Sequence, residues 1–148
     1  MVYLVISVII FNLVAYIVPK HIRKQEIYAT ALFSFLLGMI SDTIFDLKFD
    51  LYGYFVKGLQ IKGFIPIAGL FPASGILFLN FYPERKPFIK KIMYLIFWDA
   101  FCLFYEWTAI KAGFFYHNGW TYLASAIIYP ILLWFHLIHL SFFRHVKE

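Results

Sequence analysis

Six side chains able to carry protons or hold cations lie in, or at the edges of, long apolar runs: Asp42 and Asp46, Asp99 and Glu106, and His136 and His139. Carboxylates and imidazoles in such places pass protons, bind a cation, or pair across helices to lock packing, because an unpartnered ionisable group in hydrocarbon is costly. Two neighbouring acids share a proton or attract a cation, which makes Asp42 with Glu106 the more suggestive pair. An ion pair of Glu106 with Lys111 competes with it. Asp99 with His136 reads first as a structural carboxylate–imidazole pair and second as a proton relay. His136 and His139 stand at i, i+3, but no Cys or acid at a set spacing completes a ligand set, so no metal and no cofactor is expected.

The spacing of these groups fixes helix faces. Leu95, Asp99, Cys102, Glu106, Ala109 and Gly113 recur in alternate steps of four and three, which places them on one face of a helix. That face is small or polar and the rest is bulky, so it is expected to point into a bundle. Tyr122, Ser125, Tyr129, Leu132, His136 and His139 repeat the pattern, as do Ala31, Ser34, Gly38 and Asp42 with Asp46 one turn on; Asn12 adds a polar group to the first run. At 1.5 Å per residue, Asp99 and His136 lie roughly 10 Å and roughly 6 Å from the same end of their runs. Glu106 and Asp42 fall toward the opposite end, with Asp46, Lys111 or His117 above them. Two polar layers are therefore expected, one near each leaflet.

The elements that carry these faces are five apolar runs, about residues 2–18, 27–45, 61–82, 92–110 and 120–140 of the 148. The chain is 63% hydrophobic and 14% charged, with mean hydropathy +0.78. A soluble domain of this length cannot hide so much apolar surface. The fold class expected is all-α and integral to a membrane: one domain forming a five-helix up-and-down bundle. The first run lacks a basic n-region and a small-x-small cleavage site, so it reads as an uncleaved anchor. Tyr and Trp gather near the run ends (Tyr3, Tyr16, Tyr82, Trp107, Trp120), as in interfacial belts.

Nine Lys and Arg follow the first, third and fifth runs (Lys20, Arg23 and Lys24; Arg85, Lys86, Lys90 and Lys91; Arg144 and Lys147), against four on the other side (Lys48, Lys57, Lys62 and Lys111). The bias predicts the N-terminus outside and the C-terminus in the cytoplasm. The net charge of +5 sits in short loops, so nucleic acid is not an expected partner. Arg144, His145 and Lys147 read as a solvated stop-transfer set. The third run carries Pro66, Gly69, Pro72, Ala73 and Gly75. Pro72 removes a helix hydrogen bond and marks an expected kink or break. Broken helices form substrate sites in some transporters; the plainer reading is a kinked helix packing through Gly69 and Ala73. A re-entrant third run would leave four spans.

Between the second and third runs, Leu47, Phe49 and Leu51 alternate with Lys48 and Asp50, and Lys57-Gly58 reads as a turn, so residues 46–60 are expected to form a short hairpin or an amphipathic flap. Asn118-Gly119 is a turn signal between the last two runs. The single cysteine, Cys102, reads as a buried small residue. No Gly-rich phosphate loop, nucleophile elbow, HExxH, CxxC or haem-attachment motif occurs.

Asp42 to Tyr54 (DTIFDLKFDLYGY), Pro72-Ala73 leading to Leu79-Asn80-Phe81-Tyr82-Pro83, Trp98 to Trp107 (WDAFCLFYEW) and His117-Asn118-Gly119-Trp120 together resemble a family of small, uncharacterised multi-pass proteins from endospore-forming Firmicutes. The resemblance covers most of the chain, implies a multi-pass protein of the cell membrane, and brings no activity or site residues. The functional expectation is a non-enzymatic accessory or interaction subunit, with the bilayer and a membrane-protein partner or a second copy as its contacts. The alternatives are a small channel or carrier for protons, cations or a cationic solute, and a lipid-acting enzyme using Asp99 and His136.

Overall fold

The computed structural model describes residues 1–146, so Lys147 of the basic tail lies outside the described residues. Five α-helices dominate: α1 (Val2–Ile17), α2 (Lys24–Asp42), α3 (Phe64–Asn80), α4 (Phe88–Lys111) and α5 (Tyr122–Val146). Two three-residue strands, β1 (Tyr52–Tyr54) and β2 (Phe115–His117), pair antiparallel with Gly53 opposite Tyr116.

Three helical stretches are long and apolar enough to cross a membrane: Lys24–Lys48, Ile61–Asn80 and Tyr122–Val146. At 16 residues α1 is apolar but short, and α4 is long at 24 residues but carries Asp99, Glu106 and three lysines. The outer faces of all these helices are apolar, including Val5, Ile9, Leu36, Ile40, Phe104 and Trp134, and a continuous apolar exterior suits lipid.

The helices close into a ring. On α2 and the turn that extends it, the buried residues Thr30, Ser34, Gly38, Asp42 and Asp46 recur every fourth position, and this ridge of small and polar side chains lets α3 approach. A Cβ on Gly38 would lie 2.1 Å from the Phe71 ring, and one on Gly75 2.1 Å from Ser34 Oγ. Gly69 of α3 meets Val8 of α1 in the same way, and Asn12 donates to the Gly69 carbonyl at 2.8 Å. Close backbone approach through small residues, aided by a side-chain donor, is how membrane helices associate. Tyr3 bonds Thr108 at 2.7 Å and Phe11 packs edge-on to Tyr105, which joins α1 to α4. Glu106 joins α4 to α5, and Ser34 with His136 joins α5 back to α2.

Pro72 does not break the third run. Helix α3 continues from Phe64 to Asn80 through it, because losing one N–H leaves the bonds of the flanking turns in place. The close packing expected there is seen: Ala73 is buried and Gly69 abuts α1. Pro130 sits inside α5 in the same manner.

The hairpin expected within residues 46–60 does not form. Thr43–Lys48 extends α2 as a π-helical turn, because adding residues to an existing helix is easier than starting a ribbon. β1 then finds its partner, β2, in the α4–α5 connection rather than within its own loop. The Asn118-Gly119 turn is present, with Gly119 at φ +94°. Asn118 and Trp120 both donate backbone N–H groups to the Leu51 carbonyl.

At the opposite end of the bundle, Arg144 is no solvated tail residue. Its guanidinium bonds Glu26 at 2.6 Å and Glu84 at 2.6 Å, tying α5 to the start of α2 and to the α3–α4 connection. Glu26 is 3% exposed and also caps α2 by accepting from the Arg23 N–H; a buried carboxylate takes the nearest fixed cation. Asn80, at the end of α3, clasps the α1–α2 connection by accepting from the His21 N–H and donating to the Pro19 carbonyl.

Candidate functional site

Inside the ring lies a cavity of about 220 Å³. All five helices contribute to its wall, and β1, β2 and Trp120 contribute at one end. The wall is overwhelmingly apolar; its carboxylates are Asp42 and Glu106, with His136 toward the far end. Two of the sequence-predicted acids thus face one space, reached from α2 and α4.

Glu106 is 3% exposed and takes three donors. His117 Nε2–H donates to Oε1 at 2.6 Å, Ser125 Oγ–H donates to Oε1 at 2.9 Å, and Tyr129 O–H donates to Oε2 at 2.5 Å. Trp120 Nε1–H donates in turn to Ser125 Oγ at 2.7 Å. The carboxylate is therefore the knot joining α4, β2 and α5, and its partner is His117 rather than Lys111. The step of four between Ser125 and Tyr129 puts both hydroxyls on the α5 face that meets α4.

Asp42 is 6% exposed. Tyr52 O–H donates to Oδ1 at 2.7 Å. The Tyr54 hydroxyl lies beside the same carboxylate as a second donor. Residues two apart on a strand share a face, so the Tyr-Gly-Tyr of β1 sends both phenols toward α2. Burial, and then the Asp42 carboxylate, push both phenol pKa values up, so both rings stay protonated and act as donors. Gly53, between them, leaves room for the Tyr116 ring; a Cβ there would lie 2.5 Å from its hydroxyl. Asp50 and Phe55 flank β1 with φ of +52° and +59°, and Asn118 and the Phe114 carbonyl bond to the two of them. Such backbone persists only where its surroundings over-determine it, so β1 is a fixed cover over this end of the cavity. These two tyrosines were the part of the site that residue types alone did not single out; the alternate Tyr pair downstream of an acid was the available signal.

At the other end, His136 does not meet Asp99. Its Nδ1–H donates to the Leu132 carbonyl at 2.8 Å, which leaves Nε2 to accept from Ser34 Oγ–H at 2.8 Å. Trp98 takes the inward position, packed on Phe78, which in turn contacts His136. Asp99, one residue on, is rotated about 100° around α4 and keeps one buried oxygen without a partner. His139 stacks on Phe33 with ring centroids 4.1 Å apart and so is turned from His136's bond to Ser34. Asp46 is buried in the π-helical turn beyond Asp42. Among the described residues no group of three or more His, Cys, Asp or Glu is arranged to hold a metal ion.

Chemically, the arrangement offers one acid held by three donors, one acid beside two phenols, and an apolar space between aromatic walls. Comparison of the chain with protein-family models, with curated proteins and with solved structures gave no match.

Proposed function

We propose that the chain is a five-span integral membrane protein of a bacterial cell membrane, N-terminus outside and C-terminus cytoplasmic, acting as a non-enzymatic accessory or interaction subunit. One observation carries the functional part: Glu106, the acid deepest in α4, is held by three donors from β2 and α5 and so serves the assembly of the bundle. A carboxylate that shuttles protons or ions must exchange partners, and this one is tied to three fixed donors. The five-span reading is supported by α1 and α4 completing the ring with apolar outer faces, and by the basic residues gathered at the Arg144 end. The cell-membrane assignment leans on the resemblance to small multi-pass proteins of endospore-forming Firmicutes.

The test is to purify the protein from its native membrane in mild detergent and to measure the mass and composition of the complex. A stoichiometric unlike partner is the expected result. A lone monomer or a homo-oligomer would overturn the accessory reading and bring forward the second one, transport of a cation or cationic solute. That second reading is favoured by Asp42 and Glu106 lining one cavity.

A further inference from the structure

The Arg144 end of the bundle gathers positive charge that no carboxylate answers. Glu26 and Glu84, the carboxylates described at that end, are both bonded to the Arg144 guanidinium. Glu26 lies in the first turn of α2, just after Lys24, and Glu84 stands in the α3–α4 connection beside Arg85 and Lys86. One cation therefore draws two basic segments together. Asn80 adds a second clasp, holding the His21 N–H and the Pro19 carbonyl of the α1–α2 connection against the end of α3. Among the described residues, Lys24, Arg85, Lys86, Lys90 and Lys91 form no ion pair. None of the five is buried.

Orienting a chain during insertion asks only for basic residues in short loops. It does not ask that two such segments be clasped side by side in the folded protein. A fixed, uncompensated basic surface at the ends of apolar helices fits an anionic headgroup. The surroundings favour a lipid over a free anion. Phe88 and Ile89, just before Lys90 and Lys91, are exposed and apolar, and an open groove sets Lys24 of α2 beside Tyr28 and Phe143. Phosphate and hydrocarbon can thus be met on one surface. A zwitterionic headgroup carries its own cation beside the phosphate and gains less from it.

We infer that this end of the bundle is a binding surface for anionic phospholipid, its phosphate among Lys24, Arg85, Lys86, Lys90 and Lys91 and its chains on the apolar flanks. The inference rests on the chain spanning a bilayer and not on the accessory role, so the purification above and the measurement below fail separately.

The experiment uses the full chain in phosphatidylcholine vesicles, with spin-labelled phosphatidylglycerol and spin-labelled phosphatidylcholine as probes. Electron spin resonance measures the share of each that the protein holds immobile. Phosphatidylglycerol is expected to associate at least about fivefold more strongly, the effect of about one well-placed basic side chain at a membrane surface. The preference should vanish at about 1 M salt, where a charge reaches only about 3 Å. Lys86→Gln, Lys90→Gln and Lys91→Gln together should abolish it. Lys48→Gln, Lys62→Gln and Lys111→Gln, the same change in net charge at the opposite end, should leave it intact. None of these six side chains is buried, so both triple variants should elute as the wild type does. Equal association of the two probes with the wild type overturns the inference without any variant being needed. So does an equal loss in the two triple variants, which would make the effect one of net charge alone, or a preference that survives the first of them. Inorganic phosphate, exchanged for chloride at constant ionic strength, should not compete; displacement by it would make the surface a free-anion site and overturn the lipid assignment.

Discussion

Substituting Gly75 by Ala tests the packing that closes the cavity's far end. The new Cβ would sit 2.1 Å from Ser34 Oγ, 3.0 Å from His136 Nε2 and 3.2 Å from its Cδ2. The first distance is about an ångström inside contact, so Ser34 must turn away and release its 2.8 Å bond to His136. Nε2 then becomes a buried acceptor without a donor, because Nδ1 is committed to Leu132. Overpacking costs about 1–3 kcal/mol, and an interhelical hydrogen bond in a membrane bundle contributes about 0.6 kcal/mol and at most about 1.7. The sum is about 2–4 kcal/mol, with the clash as the larger part. Reversible unfolding in mixed micelles with increasing anionic detergent, followed by tryptophan fluorescence, measures it. The decisive comparison is a cycle with Ser34→Ala, which removes the clashing oxygen. The double variant should be more stable than Gly75→Ala alone, although both lack the hydrogen bond. A Gly75→Ala protein within about 0.5 kcal/mol of wild type, or strictly additive costs, would refute the close approach of α2, α3 and α5.

Two further outcomes follow from the polar network. Glu106→Leu strands the donors of His117, Ser125 and Tyr129 and should cost roughly 3 kcal/mol, whereas Glu106→Gln keeps acceptor capacity and should cost less than half of that; the same unfolding titration separates them, and equal costs would contradict the three-donor geometry. Arg144→Met leaves Glu26 buried without its cation, but the guanidinium is 36% exposed, so solvent screening holds the loss to about 1–2 kcal/mol; increased hydrogen exchange at the start of α2 is the local signature, and unchanged protection there would count against the clamp.

The buried ridge of α2 was legible because a helix of known period turns Ser34, Gly38, Asp42 and Asp46 to one side whatever they meet there. The same holds for Glu106 on α4 and for Ser125, Tyr129 and His136 on α5, all of which point inward. What the sequence could not supply was azimuth between helices. Asp99 and His136 lie at similar depth, yet Trp98 holds the inward position and His136 turns to Ser34 on a helix 102 residues away. β1 pairs with β2 for a similar reason: its partner edge exists only once α4 and α5 are side by side. Arg144 looked like solvated charge because its carboxylates, Glu26 and Glu84, are distant in sequence. Pro72 looked like a break because single-residue rules count the lost bond and not the bonds on either side that remain.

The two acids on the cavity wall differ in a way that assigns them different work. A bundle built on Gly38, Gly69 and Gly75 brings its backbones close along α3, and such contacts alone would collapse the interior. The chamber persists because the opposite side is propped by large rings: Trp98 and Phe101 on α4, then Tyr52, Phe115 and Trp120 beneath the strand pair. Glu106 is what fixes those props, since its donors stand on β2 and α5 and its indirect partner is Trp120 itself. Asp42 fixes β1, accepting from Tyr52 on Oδ1 with the Tyr54 hydroxyl beside it. Glu106 thus ties α4 to β2 and α5, and Asp42 ties α2 to β1, which gives each acid a physical reason for being buried.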